Sequence, residues 1–272
     1  IQKRINVLHI YQKEANSYLE ALFDGTDSLI QYQKADLNAL DFSSFTSTNL
    51  ILLDEIESLA SGLRSELIQF SKQGGSIGIF PAFKMDLTSF NELLSALEVN
   101  NYLKLVSDTQ KVAEINNRSD IFQSVFSQLP EKLVLPLANR HWKIQRRSES
   151  IGESILSFQN QDLFLGQFDT ESGKIYLSSV GLSEDYSNFA THAIFVPILY
   201  NMALQSVPKS PLYYFLDNQI IQLREIEKKE QAVHIVGNGI DIIPKQQFVQ
   251  GQFQMQIPEN IRRAGHYRIV RE

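Results

Sequence analysis

The chain has 272 residues, of which 43% are hydrophobic and 21% are charged, and this is an ordinary composition for a globular protein. Cysteine is absent, which excludes a disulfide framework, a thiolate metal site and a cysteine nucleophile. The formal net charge of -6 disfavours binding to nucleic acid or to anionic lipid.

The first hundred residues predict an α/β layer structure. Short apolar runs predict strands, and segments with helical periodicity lie between them. Strands are expected at residues 4–11, 29–32, 49–53 and 76–80. Helices are expected to begin at serines that can cap them, namely Ser17, Ser61 and Ser89. Strand, helix and strand at this spacing indicate parallel strands joined by right-handed crossovers.

A β-rich insert is expected at about 105–165, where helical periodicity is weak. Its strand-like runs lie at residues 112–115, 132–137, 142–145 and 155–158. Residues 162–168 and 174–178 then predict a β-hairpin, and residues 191–204 predict an apolar helix. We interpret residues 1–207 as one α/β domain that contains this insert.

The remainder, residues 208–272, is expected to form a smaller β-rich domain. Its strand-like runs lie at residues 212–216, 233–236, 252–257 and 266–270, and a turn is expected at residues 237–239. The predicted fold class is therefore α/β, with a helix-flanked parallel sheet, a β-rich insert and a β-rich C-terminal domain.

Asp54 and Glu55 are candidate ligand-binding residues. They follow a predicted buried strand, and ligands of open α/β sheets bind at the carboxyl ends of the strands. Two adjacent carboxylates could hold a metal ion or act as an acid and a base. The simpler interpretation is that they are solvated charges at the start of a helix.

His192 is a further candidate, because it lies near the start of the last predicted helix and downstream of Glu184 and Asp185. No nucleophile stands in an activating pattern that it could serve, so a structural role is the simpler interpretation. The five histidines show no helical pairing, and the sequence predicts no catalytic residue, no metal and no cofactor.

A basic group surrounds Trp142 and could reverse the acidic field locally. We interpret it as a solvated strand face, the usual role of such runs. Its members are Arg140, Lys143, Arg146 and Arg147.

Two segments resemble known proteins. Residues 49–55, the helix from Ser61 and residues 74–81 resemble the class I glutamine amidotransferase-like fold. Residues 172–182 and 186–200 resemble the corresponding stretch of BatA-type membrane proteins, the aerotolerance-related proteins of the Bacteroidetes kind. The resemblance covers roughly residues 1–207.

The resemblance implies an amidotransferase-like domain exposed in the cell envelope, beside membrane helices and often a von Willebrand A domain. True class I amidotransferases use a Cys-His-Glu triad, whereas this sequence has no cysteine and no His-x-Glu pair. It therefore implies the fold without the activity. Because the chain begins at Ile1, we expect a piece of a longer protein whose membrane anchor lies elsewhere.

Two functions follow as hypotheses. The first is a non-catalytic scaffold or protein-interaction module on the periplasmic side of the envelope, with other envelope proteins or domains of the same polypeptide as partners. The second is a domain that binds a small ligand or carbohydrate, and could hydrolyse it, at the carboxyl edge near Asp54 and Glu55. An open polar cleft at that edge favours the second hypothesis, and an edge filled by side chains favours the first.

Overall fold

A computed structural model of the chain describes residues 4–24, 29–123, 134–147, 150–170, 172–207, 214–216, 220–223, 232–249 and 252–271. The chain divides into two compact units, Ile1–Pro208 and Lys209–Glu272. Across the described part of the chain, none of the helices has the length and apolarity that crossing a bilayer requires.

The described part of the first unit contains eleven strands. They are β1 (Ile5–Tyr11), β2 (Ile30–Asp36), β3 (Leu50–Asp54), β4 (Ser76–Phe80), β5 (Asn101–Val106), β6 (Gln110–Ile115), β7 (Leu137–Ala138), β8 (His141–Gln145), β9 (Gly152–Phe158), β10 (Leu163–Asp169) and β11 (Lys174–Ser178). The α-helices of the same part are α1 (Ser17–Phe23), α2 (Ser61–Lys72), α3 (Leu87–Ala96), α4 (Asp120–Gln123) and α5 (Phe195–Gln205). Short 3-10 helices span Leu37–Ala39 and Phe42–Ser47.

Nine of these strands form one sheet in the order β2-β1-β3-β4-β11-β10-β9-β6-β7. The strands from β2 to β11 run parallel to their neighbours, and those from β11 to β7 run antiparallel. The predicted hairpin is β10 and β11, and its second strand joins the parallel ladder beside β4. The remaining strands, β5 and β8, pair with each other. The predicted α/β class with a β-rich insert is confirmed.

The strands at the centre of the parallel ladder are buried along their whole length. Every residue of β3 and of β4 is buried, as the continuous apolar runs predicted. Strands of this kind need helices on both faces of the sheet. The main core includes these strands together with residues of α2, α3 and α5.

The predicted starts of α1 and α2 are wrong by one residue. The N-cap of α1 is Asn16, whose side chain accepts hydrogen bonds from the backbone N–H groups of the second and third helical residues. Ser17 is therefore already helical. Ser61 is likewise the first residue of α2, and Ala60 precedes it without a side-chain cap.

The predicted starts of α3 and α5 are also wrong. Asp86 caps α3 and accepts a hydrogen bond from the backbone N–H of Thr88 at 3.1 Å. Ser89 is instead buried, where its hydroxyl accepts a hydrogen bond from the backbone N–H of Leu59. Helix α5 begins at Phe195, which places Pro197 in the first turn, where its missing N–H costs nothing.

The second unit contains two antiparallel three-stranded sheets in its described part. Their strands are β12 (Ile220–Leu223), β13 (Val233–Gly237), β14 (Ile240–Ile242), β15 (Gln246–Val249), β16 (Gln252–Gln256) and β17 (Arg268–Arg271). The sheet orders are β12-β16-β15 and β14-β13-β17. Asn238 and Gly239 connect β13 and β14 with positive φ angles of 50° and 79°, as a type I′ hairpin turn requires.

Two predicted strands fall partly outside the described residues. Residues 212 and 213 lie outside, and residues 214–216 are not a strand; Tyr214 and Leu216 pack against the core of the second unit. Residues 132 and 133 also lie outside, and the strand predicted there is reduced to β7.

Candidate functional site

A cleft of about 780 Å³ opens at the carboxyl edge of the parallel strands in the first unit. Segments that follow β1, β3, β4 and β11 line it, together with the start of α1. Its lining residues are Lys13, Glu14, Ala15, Asn16, Ser17, Asp54, Glu55, Glu57, Ala82, Phe83, Lys84, Arg140, Ser183, Asp185 and Tyr186. Five of these residues carry a carboxyl group and three carry a cationic group. The edge is therefore an open, polar cavity and is not filled by side chains.

Asp54, the last residue of β3, lies on the inner surface of the cleft and is only 6% exposed. The Oδ2 atom of its carboxylate lies 2.9 Å from Nε2 of His9 on β1, a residue that is 0% exposed. The other ring nitrogen of His9, Nδ1, lies 2.7 Å from the hydroxyl of Tyr32 on β2. A phenol, an imidazole and a carboxylate therefore form a hydrogen-bonded chain across three adjacent strands.

Glu55 follows Asp54 and adopts a left-handed backbone conformation with φ of 47°. Its backbone N–H donates to the carbonyl of Phe80, and its Oε1 accepts a hydrogen bond of 2.7 Å from the backbone N–H of Ser183. Burial raises the pKa of the Glu55 carboxyl, and the nearby charge of Asp54 adds to this, while the Ser183 donors act in the opposite direction. Non-glycine residues in this conformation carry strain and are concentrated at functional sites.

The loop after β11 approaches Glu55 so closely that only glycine fits at position 181. A Cβ atom at Gly181 would lie 2.5 Å from Oε1 of Glu55, and 2.8 Å from both the carbonyl oxygen of Pro81 and Cδ2 of Tyr186. A side chain at position 181 would therefore displace the Glu55 side chain.

One wall of the cleft is aromatic. Phe83, which is 43% exposed, packs edge-on against Tyr186 with 6.2 Å between ring centroids. The guanidinium carbon of Arg140 lies 4.9 Å from the centroid of the Phe83 ring, which is a cation–π distance. The hydroxyl of Tyr186 accepts a hydrogen bond of 3.2 Å from the indole N–H of Trp142, which also donates to the carbonyl of Ala82.

The rim of the cleft carries an ion pair that is open to solvent. Nζ of Lys13 lies 2.7 Å from Oε1 of Glu57, and this contact lowers the pKa of Glu57 and raises that of Lys13. Because Lys13 is 76% exposed, the pair contributes little to stability. It does add a donor and an acceptor to the mouth of the cleft.

The structure thus places His192 apart from the other two candidate residues, Asp54 and Glu55. Asp54 and Glu55 line the cleft together, whereas His192 is not among its lining residues. His192 lies three residues before α5, where its Nδ1 accepts a hydrogen bond of 3.3 Å from the backbone N–H of Ile194. Burial lowers the pKa of the His192 imidazole.

Sequence reasoning missed several residues of the site. Arg140 was interpreted as part of a solvated basic face, but it packs on Phe83 in the cleft wall. His9 and Tyr32 stood inside strand-like runs and gave no separate signal. Within the described residues, no group of three or more His, Asp and Glu side chains is placed to hold a metal ion.

Neither a scan against protein-family models nor a search of curated proteins finds a match for the chain. Solved structures do match. A cytoplasmic protein from Salmonella typhimurium LT2 (STM1381) is 12% identical, with a TM-score of 0.57 over 75% of this chain and 100% of its own. A ThuA-like protein from Bacteroides uniformis is 13% identical, with a TM-score of 0.52 over 75% of this chain and 92% of its own.

The first unit has a glutamine amidotransferase-like fold. A β-galactosidase from Bacillus circulans sp. alkalophilus is also similar, with 9% identity and a TM-score of 0.50. That match covers 93% of this chain but only 41% of the β-galactosidase. At these identities the matches establish the fold alone.

Proposed function

We propose that the first unit binds a small, uncharged, polyhydroxylated ligand, such as a carbohydrate, in the cleft at the carboxyl edge of its sheet. We also propose that it performs no glutamine amidotransfer. The observation that carries the proposal is the open cleft, with its inward-facing and tightly held carboxyl groups of Asp54 and Glu55.

Amidotransfer by the class I route requires a cysteine thiolate to attack the amide carbon, and the sequence contains no cysteine. The segment that follows β4 lines the cleft with Ala82, Phe83 and Lys84, none of which carries a thiol or a hydroxyl group. The fold is therefore kept without the group on which that chemistry depends.

The composition of the cleft supports an uncharged polar ligand. Its carboxyl groups outnumber its cations, so an anionic ligand would be repelled on balance. Carboxylates, Lys84 and Arg140 offer acceptors and donors for hydroxyl groups, and the exposed ring of Phe83 offers an apolar surface. A few fixed polar groups beside an aromatic surface are typical of small-molecule sites.

The likeness to a β-galactosidase supports testing sugars first, because that protein acts on a galactoside by its name. Galactose is therefore the first probe.

A thermal-shift screen of the purified chain with neutral sugars, nucleotides and divalent ions tests the proposal. We expect galactose or another neutral sugar to raise the melting temperature of the wild type, and Asp54→Asn to reduce the shift. Glu114→Gln, which removes an exposed carboxylate of β6 outside the cleft, is the matched control and should keep it. No shift with any sugar, or release of ammonia from glutamine, would overturn the proposal.

We further propose that the chain belongs to a BatA-type membrane protein and lies on the periplasmic side of the cell envelope. Its partners would then be other envelope proteins or domains of the same polypeptide. The sequence resemblance of residues 172–182 and 186–200 supports this, and the net charge of -6 argues against nucleic acid as a partner. Fractionation of the full-length gene product tests it: we expect the membrane fraction, and recovery in the cytosol would contradict it.

A further inference from the structure

We propose that His9 and Tyr32 are positioning residues of the cleft: they hold Asp54 as a fixed hydrogen-bond acceptor that selects ligands presenting a hydroxyl donor. Neither residue lines the cleft, so both act through Asp54. The proposal rests on the function proposed above and narrows the class of ligand. It assigns Asp54 as the acceptor of a ligand hydroxyl, and it excludes ligands that place an anionic group beside Asp54.

The direction of the hydrogen bonds follows from the carboxylate of Asp54 and the phenol of Tyr32. Burial raises the pKa of the Tyr32 phenol, and the carboxylates of Glu20 and Asp54 raise it further, so the phenol keeps its proton. The carboxylate of Asp54 can only accept, so Nε2 of His9 carries the ring proton and donates to Oδ2. With the single ring proton on Nε2, Nδ1 is an acceptor, and the phenol of Tyr32 donates to it. Every donor in the chain thus points towards the cleft.

The hydrogen-bonded chain of Tyr32, His9 and Asp54 is also held rigidly. Its three residues lie on β2, β1 and β3, which are neighbours in the parallel ladder. His9 is 0% exposed and has no room to change its rotamer without disturbing the core. The carboxylate of Asp54 consequently has one fixed orientation, and the lone pairs that His9 does not use can accept hydrogen bonds from a ligand in the cleft. A fixed acceptor of this kind gives specificity, because a ligand without a matching donor leaves it unpaired.

This arrangement predicts discrimination between two matched sugars. Galactose can offer a hydroxyl to Asp54, whereas galacturonate brings a like charge into a cleft that already holds five carboxyl groups. We expect galacturonate to bind at least about tenfold more weakly than galactose, since like charges in a partly buried site disfavour each other. Equal binding of the two sugars would overturn the proposal.

A double-mutant cycle tests the route through Asp54. Calorimetric titration with galactose would compare the wild type, Tyr32→Phe, Asp54→Asn and the double variant. We expect Tyr32→Phe to weaken binding about fivefold, the worth of one hydrogen bond, and to have no further effect in the Asp54→Asn background. Equal effects of Tyr32→Phe in both backgrounds would show that it acts elsewhere and would overturn the proposal.

The tautomer of His9 is a second readout that needs no ligand. Long-range proton–nitrogen spectra of histidine-labelled protein should show the ring proton of His9 on Nε2 and none on Nδ1. The His9→Gln spectrum identifies the signal. A proton on Nδ1, or a doubly protonated ring, would overturn the proposal. If the wild type binds no neutral sugar, the proposed function fails, and the tautomer still decides whether His9 and Tyr32 orient Asp54.

Discussion

Two histidines are fully buried in the described part of the first unit, and they differ in what surrounds their ring nitrogens. His9, in the parallel ladder, has Tyr32 at 2.7 Å and Asp54 at 2.9 Å. His141, in the β-rich insert, is 1% exposed and makes no hydrogen bond with either nitrogen. Its nearest carboxylate oxygens, on Asp108 and Asp162, lie 3.8 Å and 3.6 Å away.

The difference shows how the two regions use buried polar groups. Burial of an imidazole costs free energy unless hydrogen bonds compensate it. In the parallel ladder the compensation is complete and the hydrogen bonds lead to the cleft. In the insert His141 is packed against the ring of Phe158, 4.7 Å away, without hydrogen-bond compensation. We therefore expect the same substitution to have opposite effects at the two sites.

His9→Leu should have the largest effect. It leaves the buried carboxylate of Asp54 and the hydroxyl of Tyr32 without their partner, and leaving a buried charged group without its hydrogen bond costs about 3 kcal/mol or more. Urea unfolding should show this loss in the free energy of unfolding. His9→Gln, which can restore a donor near Nε2, should lose clearly less. If His9→Leu lowers the free energy of unfolding by less than about 1 kcal/mol, the hydrogen bonds of His9 to Tyr32 and Asp54 do not stabilise the fold.

Gly181→Ala should have the next largest effect. The added methyl group collides with Glu55, Tyr186 and the backbone of Pro81, and overpacking of this kind costs about 1–3 kcal/mol. Displacement of Glu55 should also weaken galactose binding. The control is Gly62→Ala in α2, where no atom lies within 4 Å of the new Cβ. That variant should be neutral or more stable, because alanine favours the helix.

His141→Leu should have a smaller effect of opposite sign. It removes two buried ring nitrogens that make no hydrogen bond and keeps an apolar contact for Phe158, so we expect a gain of about 1 kcal/mol. Urea unfolding near neutral pH measures it. A loss of stability as large as that of His9→Leu would show that the ring nitrogens of His141 are hydrogen-bonded in the folded protein. It would remove the contrast between the two regions.

The pH dependence of stability should separate the wild type from His141→Leu. Burial lowers the pKa of the His141 imidazole in the folded protein, and this outweighs the opposing charges of Asp108 and Asp162. The folded state therefore binds a proton less readily than the unfolded state. The wild type is therefore most stable above the ordinary histidine pKa of about 6.5, and it loses stability as the pH falls below that value. The advantage of His141→Leu should consequently grow from about pH 7.5 to about pH 5.5, whereas a constant difference would contradict this assignment.

Local sequence patterns predicted the layers of the fold and one pair of site residues. The apolar runs located β3 and β4, and the rule for carboxyl edges selected Asp54 and Glu55. The starts of α1 and α3 were displaced, because a serine with a glutamate three residues later also occurs inside a helix. Asn16 and Asp86 supply the cap side chains of α1 and α3 instead.

The rest of the site depends on contacts between distant parts of the chain. Tyr32 and Asp54 are 23 and 45 residues from His9, and only the order of β2, β1 and β3 brings them together. Gly181 is required by its close approach to Glu55, a residue far away in sequence. The position of Arg140 on Phe83 likewise cannot be derived from the basic residues beside it.

Mapping the binding site in solution tests the central claim most directly. Galactose would be titrated into nitrogen-labelled protein while the backbone amide signals are followed. We expect saturable shifts for amides that border the cleft, such as those of Glu55, Phe83 and Ser183, and a clearly higher galactose concentration for half-saturation in Asp54→Asn. Saturable shifts confined to residues away from the cleft, or none at all, would contradict it.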